Sequence, residues 1–281
     1  MFEDKMIPLD AWVTGLVDWL VENHREFFQL LKWPVDKTLT GFDMGLNFLS
    51  PVVVILAVAL LAWRFSGKGL AVFSIVALVF IGLLGFWEDT MTTLAMVLSS
   101  VLFCTIVGIP LGIAAGRSDG FDKVLRPFLD AMQTTPSFVY LVPIVMLFSV
   151  GNVAGVLATI IFCMPPIIRL TSLGIRQVHP ELVEAALAFG ANRKQVLIKV
   201  QMPLAMPTIL AGLNQTIMMA LAMVVIAALI GAGGLGSPVV RGLNTLDIGL
   251  AVTAGLSIVL LAMVLDRVSQ AMAGKKRTDN Q

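Results

Sequence analysis

Seven apolar stretches, each bounded by polar or charged residues, leave this chain few ways to fold. They cover residues 48–63, 70–86, 91–115, 138–150, 153–170, 208–230 and 248–265. A hydrocarbon core of roughly 30 Å takes about 20 apolar residues as a helix, and runs near that length are the strongest signal a sequence carries. The composition agrees. Hydrophobic residues make up 58% of the 281, and Asp, Glu, Lys and Arg only 13%, against about 25% in a typical soluble domain. Mean hydropathy is +0.92. The fold class expected is an all-α polytopic membrane protein.

One stretch resists that pattern. Residues 176–207 read RQVHPELVEAALAFGANRKQVLIKVQMPLAMP and hold Arg176, Arg193, Lys194 and Lys199, with Arg169 just before. Pro180 suits the first turn of a helix, and Glu181 and Glu184 fall near its positive end. Gly190 breaks the run. Asn192 is placed to cap a second short helix, with Gln195 in the capping-box position. Pro203 and Pro207 end or kink that helix. The residues predict two short helices joined at Gly190, lying outside the hydrocarbon. An ordinary interfacial loop with two amphipathic turns has the same pattern.

The charges orient the chain. With the N-terminus outside, the inner segments 64–69, 116–133, 169–207 and the tail from 266 hold fourteen Lys and Arg, the outer ones five. The positive-inside rule therefore gives N-out, C-in, and places 176–207 in the cytoplasm. Three regions follow. Residues 1–47 form an external or interfacial amphipathic leader, residues 48–265 a transmembrane domain of about seven spans, and residues 266–281 a disordered-looking cytoplasmic tail. The leader carries Glu3, Asp4, Asp10, Asp18, Glu22, Glu26, Asp36 and Asp43 against four basic residues. Leu9, Trp12, Val13, Leu16, Val17, Trp19 and Leu20 have roughly helical spacing, which predicts a helix in the interface with Trp at headgroup depth. Residues 27–33 extend it as far as Pro34. A first membrane span is the alternative, cut short by Glu22, Arg25 and Glu26. Residues 1–30 do not read as a cleavable signal. Cys104 and Cys163 lie in apolar runs and read as packing residues. His24 and His179 are isolated, and neither a metal-ligand spacing nor a nucleotide fingerprint is present, so no catalytic or metal site is expected.

Glu184-Ala185-Ala186, Gly190, Val200, Met202 and Pro203 together resemble the "EAA" signature of membrane subunits of bacterial ABC importers. The family pattern is Glu-Ala-Ala, Gly four residues after the second Ala, nine free positions, Ile, a free position, Leu and Pro. Val200 replaces the usual Ile and Met202 the usual Leu, both apolar for apolar. The resemblance implies an ABC importer type I transmembrane-domain fold in which this segment is the cytoplasmic coupling helix. Glu184, Ala185, Ala186 and Gly190 would then face the ATPase.

A narrower resemblance covers about residues 90–265. Gly116-Arg117, Arg126-Pro127, Asp130, Gln133-Thr134-Thr135-Pro136-Ser137, Tyr140, Gly190-Ala191 with basic residues after it, and Ala232-Gly233-Gly234-Leu235-Gly236 resemble permeases that import glycine betaine, proline betaine, choline and carnitine. That likeness implies a homodimer with two cytoplasmic ABC ATPase subunits and a periplasmic or extracellular substrate-binding protein. It implies a bacterial inner membrane as the location and a small-molecule substrate, with no nucleic acid. ATP and Mg would sit on the ATPase, and this chain would hold no cofactor and do no chemistry.

Candidate pathway residues are fewer. Quaternary ammonium groups favour aromatic faces. Tyr140, the one Tyr in the chain, is either a pathway contact or an interfacial belt residue. Asn214 and Gln215 sit inside an apolar span, where polar side chains line a cavity or join helices. Gly231, Gly233, Gly234 and Gly236 form either a tight irregular turn near an outer gate or a flexible outer loop. Pro165-Pro166 kink the path or bend the chain toward the coupling segment. Three other functions stay open: the same machine carrying an amino acid or another small solute, a stand-alone secondary transporter or channel, and a scaffold without transport. The absence of an intramembrane carboxylate placed for ion coupling and of an inverted repeat disfavours the stand-alone transporter.

Overall fold

The computed structural model describes residues 9–278, so the acidic Glu3 and Asp4 and the last residues of the tail, 279–281, lie outside the described residues. The described chain is all-helical. It opens with α1 (Leu9–Asn23), α2 (Arg25–Phe48), α3 (Pro51–Ser66) and α4 (Lys68–Leu83). Next come α5 (Trp87–Arg117), α6 (Asp119–Thr134), α7 (Ser137–Phe148) and α8 (Asn152–Arg176). The last part holds α9 (Pro180–Ala188), α10 (Arg193–Val196), α11 (Met202–Ala227), α12 (Gly236–Thr245) and α13 (Ile248–Thr278).

The core is a three-helix layer with α8 between α5 and α11. Small residues set the spacing. Gly108, Gly112 and Gly116 recur every four residues and so share one face of α5. A Cβ on Gly112 would lie 2.5 Å from Thr171 Cβ and 2.7 Å from the Ile168 carbonyl; one on Gly108 would lie 2.4 Å from Ile167 Cγ2. On the other side of α8, Gly174 meets Ala205, where a Cβ would lie 3.1 Å from the Ala205 side chain. With lipid as apolar as the side chains, helices associate through such close van der Waals contact. Three hydroxyls inside the layer bond back to their own helix: Ser99 to the Ala95 carbonyl at 2.7 Å, Thr159 to Gly155 at 2.7 Å and Thr216 to Gly212 at 2.9 Å.

Among the described residues, four helical stretches are long and apolar enough to cross a membrane: Trp87–Arg117, Asn152–Arg176, Arg193–Ile230 and Ile248–Ala271. The other expected spans take different forms. The polar inner segment 116–133, not expected to cross, forms most of the amphipathic helix α6, its N-terminus capped by the Ser118 side chain. It meets α7 at 98°, and α2 meets α3 at 105°. The twelve residues of α7 rise only about 18 Å, so α7 alone falls short of a hydrocarbon core.

Three local expectations are corrected. The leader is not one helix but breaks at His24 into α1 and α2, and α2 does not stop at Pro34. It continues to Phe48 and packs into the bundle with Val35 and Leu39 buried, because apolar neighbours on α5 and α8 outweigh the one hydrogen bond that Pro34 removes. Of the two outcomes expected at Pro203, an end or a kink, the end does not occur. A π-helical stretch, Leu197–Gln201, precedes the proline, and the Met202 amide bonds the Leu197 carbonyl. The wider turn accommodates the ring at Pro203, so the helix runs on to Ala227. Residues 266–278 are not disordered but extend α13.

Candidate functional site

The segment 176–207, where coupling residues are expected, is built by two caps placed end to end. Helix α9 starts at Pro180 and closes at Gly190, where φ is +85°. The Gly190 amide donates to the Leu187 carbonyl at 2.9 Å, and the Ala191 amide to the Ala186 carbonyl at 3.0 Å. This is the double bond pattern of a Schellman turn, which needs a left-handed residue at its corner. Two residues on, the expected capping box is present. The Gln195 amide donates to Asn192 Oδ1 at 2.9 Å, and the Asn192 amide to Gln195 Oε1 at 2.8 Å. The chain thus passes from one helix to the next with the Gly190, Ala191, Asn192 and Gln195 amides all paired. Glu184, Ala185 and Gly190 are exposed, and Ala186 is half-buried. Pro203 is exposed at the start of α11. Val183 and Leu187, on the other face of α9, line a crevice with Gly116, Arg117 and Val196.

Beside this knob stands an ion-pair ladder that sequence reasoning missed. Arg169 donates to Asp130 Oδ1 and to Gln133 Oε1, both at 2.5 Å. Arg176 donates to Asp119 Oδ1 at 2.6 Å and to the Ala115 carbonyl at 2.7 Å. Arg126 pairs with Asp122 at 2.6 Å. The hydrogen bond from Arg176 holds the Asp119 carboxyl below its ordinary range. The ladder clamps α6 against α8 around a crevice of about 420 Å³. The balanced charge of 116–133 was its one trace in the sequence, because pairing across helices leaves no fixed spacing.

The candidate pathway residues separate. The Tyr140 hydroxyl donates to the Met132 carbonyl at 2.6 Å and the Ala131 carbonyl at 3.2 Å, closing the bend between α6 and α7. Asn214 joins α11 to α13: its Nδ2 donates to Asp266 Oδ1 at 3.3 Å, and Ser269 Oγ donates to its Oδ1. Gln215 is exposed and takes no part in that cluster. Pro165 and Pro166 lie buried inside an unbroken α8.

The glycine run after α11 is a tight turn, not a loose loop. The Gly233 amide donates to Asn152 Oδ1 at 2.6 Å and the Leu235 amide to Thr93 Oγ1 at 2.8 Å. Gly151 reaches back to the Ile230 carbonyl at 3.2 Å. At Gly234, φ is +78° and a Cβ would lie 2.5 Å from Thr93 Oγ1, so the position excludes a side chain. Gly231 also has positive φ, at +75°, and a Cβ on Gly236 would meet the Val225 carbonyl at 2.8 Å. Asn152 and Thr93 are the residues that sequence reading missed here.

Residues 108–278 match the family described as "Binding-protein-dependent transport system inner membrane component". The chain belongs to this family. It is 54% identical to the glycine betaine/proline betaine transport system permease protein ProW of Escherichia coli K12, over 99% of this chain and 78% of that protein. It is 44% identical to the glycine betaine transport system permease protein OpuAB of Bacillus subtilis 168, over 97% of this chain and 96% of that one. Among solved structures, a chain of the MetNI methionine ABC transporter superposes with TM-score 0.58 at 21% identity, covering 66% of this chain and 92% of that chain. The fold is that of a type I ABC importer transmembrane domain. The protein is a multi-pass, non-catalytic component of an inner-membrane ABC transport system, and it works with ATPase and substrate-binding partners.

Proposed function

We propose that two copies of this permease form the transmembrane path of an ATP-driven importer for quaternary-ammonium osmoprotectants: glycine betaine, proline betaine and choline. The observation that carries the substrate class is the 54% identity to ProW, which spans nearly the whole chain. Two ATPase subunits dock on the coupling segment, where Glu184, Ala185 and Gly190 are exposed, and Pro203 begins the helix that carries its motion inward. An external binding protein delivers the ligand. The excess of Lys and Arg in alternate segments supports N-out, C-in. In that orientation residues 1–47 lie outside or at the outer interface, 48–265 hold the crossings and 266–281 are cytoplasmic. The glycine turn at 231–236 then closes the outer end of the path. Tyr140, Asn214 and Gln215 act on that path through the helices they join or flank.

The test is uptake of labelled glycine betaine into vesicles holding this permease, its ATPase and the matching binding protein. Uptake that needs ATP and is competed by choline and carnitine is expected. ATP hydrolysis without betaine entry would retain the ABC assignment and overturn the substrate class. A cysteine replacing Leu20 should react with an impermeant thiol reagent added outside; labelling from the cytoplasmic side alone would invert the topology.

A further inference from the structure

Helix α2 lies before the residues that match the family, yet it is fastened to the bundle at two points, at Phe148 inside the match and at Thr92 ahead of it. Lys32 Nζ donates to the Phe148 carbonyl at 3.1 Å. Phe148 is the last residue of α7, so this carbonyl belongs to the four at a helix end that lack an intrahelical partner, and a cation there complements the negative end of the helix. One turn earlier, the Phe28 ring stands edge-on to the Phe148 ring with centroids 5.7 Å apart. About 16 Å further along the α2 axis, Asp43 Oδ1 accepts a hydrogen bond from Thr92 Oγ1 at 3.0 Å. Between the two pins, Val35 and Leu39 are buried.

Both pins stand next to the glycine turn. Phe148 leads directly into Gly151 and Asn152, which hold Ile230 and Gly233; Thr92 neighbours Thr93, which holds Leu235. We propose that α2 is a strap joining the end of α7 to the start of α5 over the outer end of the path, with Lys32 and Asp43 its positioning residues. Opening the path outward requires Lys32 to release Phe148. The pin suits release: a long amphipathic side chain can carry its ammonium back to water at low cost, and a single charged hydrogen bond shifts a two-state equilibrium by about tenfold, which holds the closed form without freezing it. The proposal rests on the importer reading and on this end being the outer one.

The test uses the full complex of permease, ATPase and binding protein in nanodiscs, with Lys32→Met, Asp43→Asn and, as a control on the same helix, the exposed Lys37→Met. Hydrogen exchange at Gly151, Gly233 and Leu235 reads the closed form; ATP hydrolysis without binding protein, and ligand imported per ATP, read its use. Lys32→Met and Asp43→Asn are expected to speed exchange by about tenfold, to raise hydrolysis without binding protein, and to lower import per ATP. Lys37→Met leaves all three unchanged, and Lys32→Arg restores them. Wild-type exchange in both strap variants overturns the strap. Faster exchange with hydrolysis and import per ATP unchanged also overturns it, since the contacts would then be structural only. If the wild-type complex imports no ligand, the importer reading fails instead, and exchange and hydrolysis still decide the strap.

Discussion

The Ala191 amide donates to the Ala186 carbonyl at 3.0 Å, and Gly190, enclosed by that bond, sits at φ +85°. This relationship accounts for the spacing between the second Ala and the Gly. The carbonyl of Ala186 is the third from the end of α9, and the residue four further on is the one that must be left-handed. Nothing lies within 4 Å of a Cβ on Gly190, so conformation rather than space selects glycine.

Substitution there should follow backbone preference. A non-glycine residue in the left-handed region costs about 1–2 kcal/mol, with Asn tolerated best. ATP-driven uptake is expected to fall in the order Gly190, Gly190→Asn, Gly190→Ala, Gly190→Val, with membrane insertion unaffected. Equal uptake in all four would show that the turn plays no part in coupling.

The α5–α8 contact gives a second contrast. Gly112→Ala forces a Cβ into Thr171 and the Ile168 carbonyl, and overpacking of this kind costs about 1–3 kcal/mol. Gly255, inside α13, has nothing within 4 Å of a Cβ, so Gly255→Ala should gain about 0.4–1 kcal/mol. Thermal unfolding in detergent should move in opposite directions for the two variants. A similar loss in both would remove the packing argument.

Two buried threonines should behave differently when replaced by Val. Thr171 Oγ1 is buried without a hydrogen-bond partner among the described residues, so Thr171→Val should be neutral or stabilising. Thr93 Oγ1 accepts from the buried Leu235 amide. Thr93→Val leaves that amide unpaired, at a cost of about 1–3 kcal/mol, and should loosen the glycine turn. Chemical denaturation of the two variants checks the pair.

Acid should weaken the clamp of α6 on α8. The bond from Arg176 lowers the Asp119 pKa in the folded state from its ordinary 3.8. The contribution is therefore present in full above that value and is lost as pH falls from there through the lower native one. Asp119 is exposed and the effect is small. Wild type and Asp119→Asn should differ in stability at neutral pH and converge in strong acid. A gap that widens in acid would reverse the sign.

Asn214→Leu should cost about 0.6 kcal/mol and at most about 1.7, the average and the maximum for hydrogen bonds between membrane helices, by separating α11 from Asp266 and Ser269 on α13. Asp266 keeps Gln270 as a partner at 2.7 Å. A double-mutant cycle with Ser269→Ala should show coupling. Additive effects would mean that the two side chains act independently.

What the sequence determined by itself was local. Gly190, Asn192 and Gln195 wrote the two caps of the segment 176–207 in advance, because a cap is made by residues within a turn of one another. Long apolar runs named the helices and the class of the protein for the same reason. The tertiary structure alone decided what met across the bundle. Arg176 on Asp119, Thr93 under Leu235 and Lys32 on Phe148 join residues whose separation along the chain obeys no period. Pro34 and Pro203 show the limit from the other side. Pro34 reads locally as a stop and Pro203 as a stop or a kink, yet α2 passes through Pro34 because its neighbours bury Val35 and Leu39, and the second helix passes Pro203 because a wider turn takes up the ring. Propensity is a matter of about 3 kcal/mol at a proline, and packing against the bundle outweighed it.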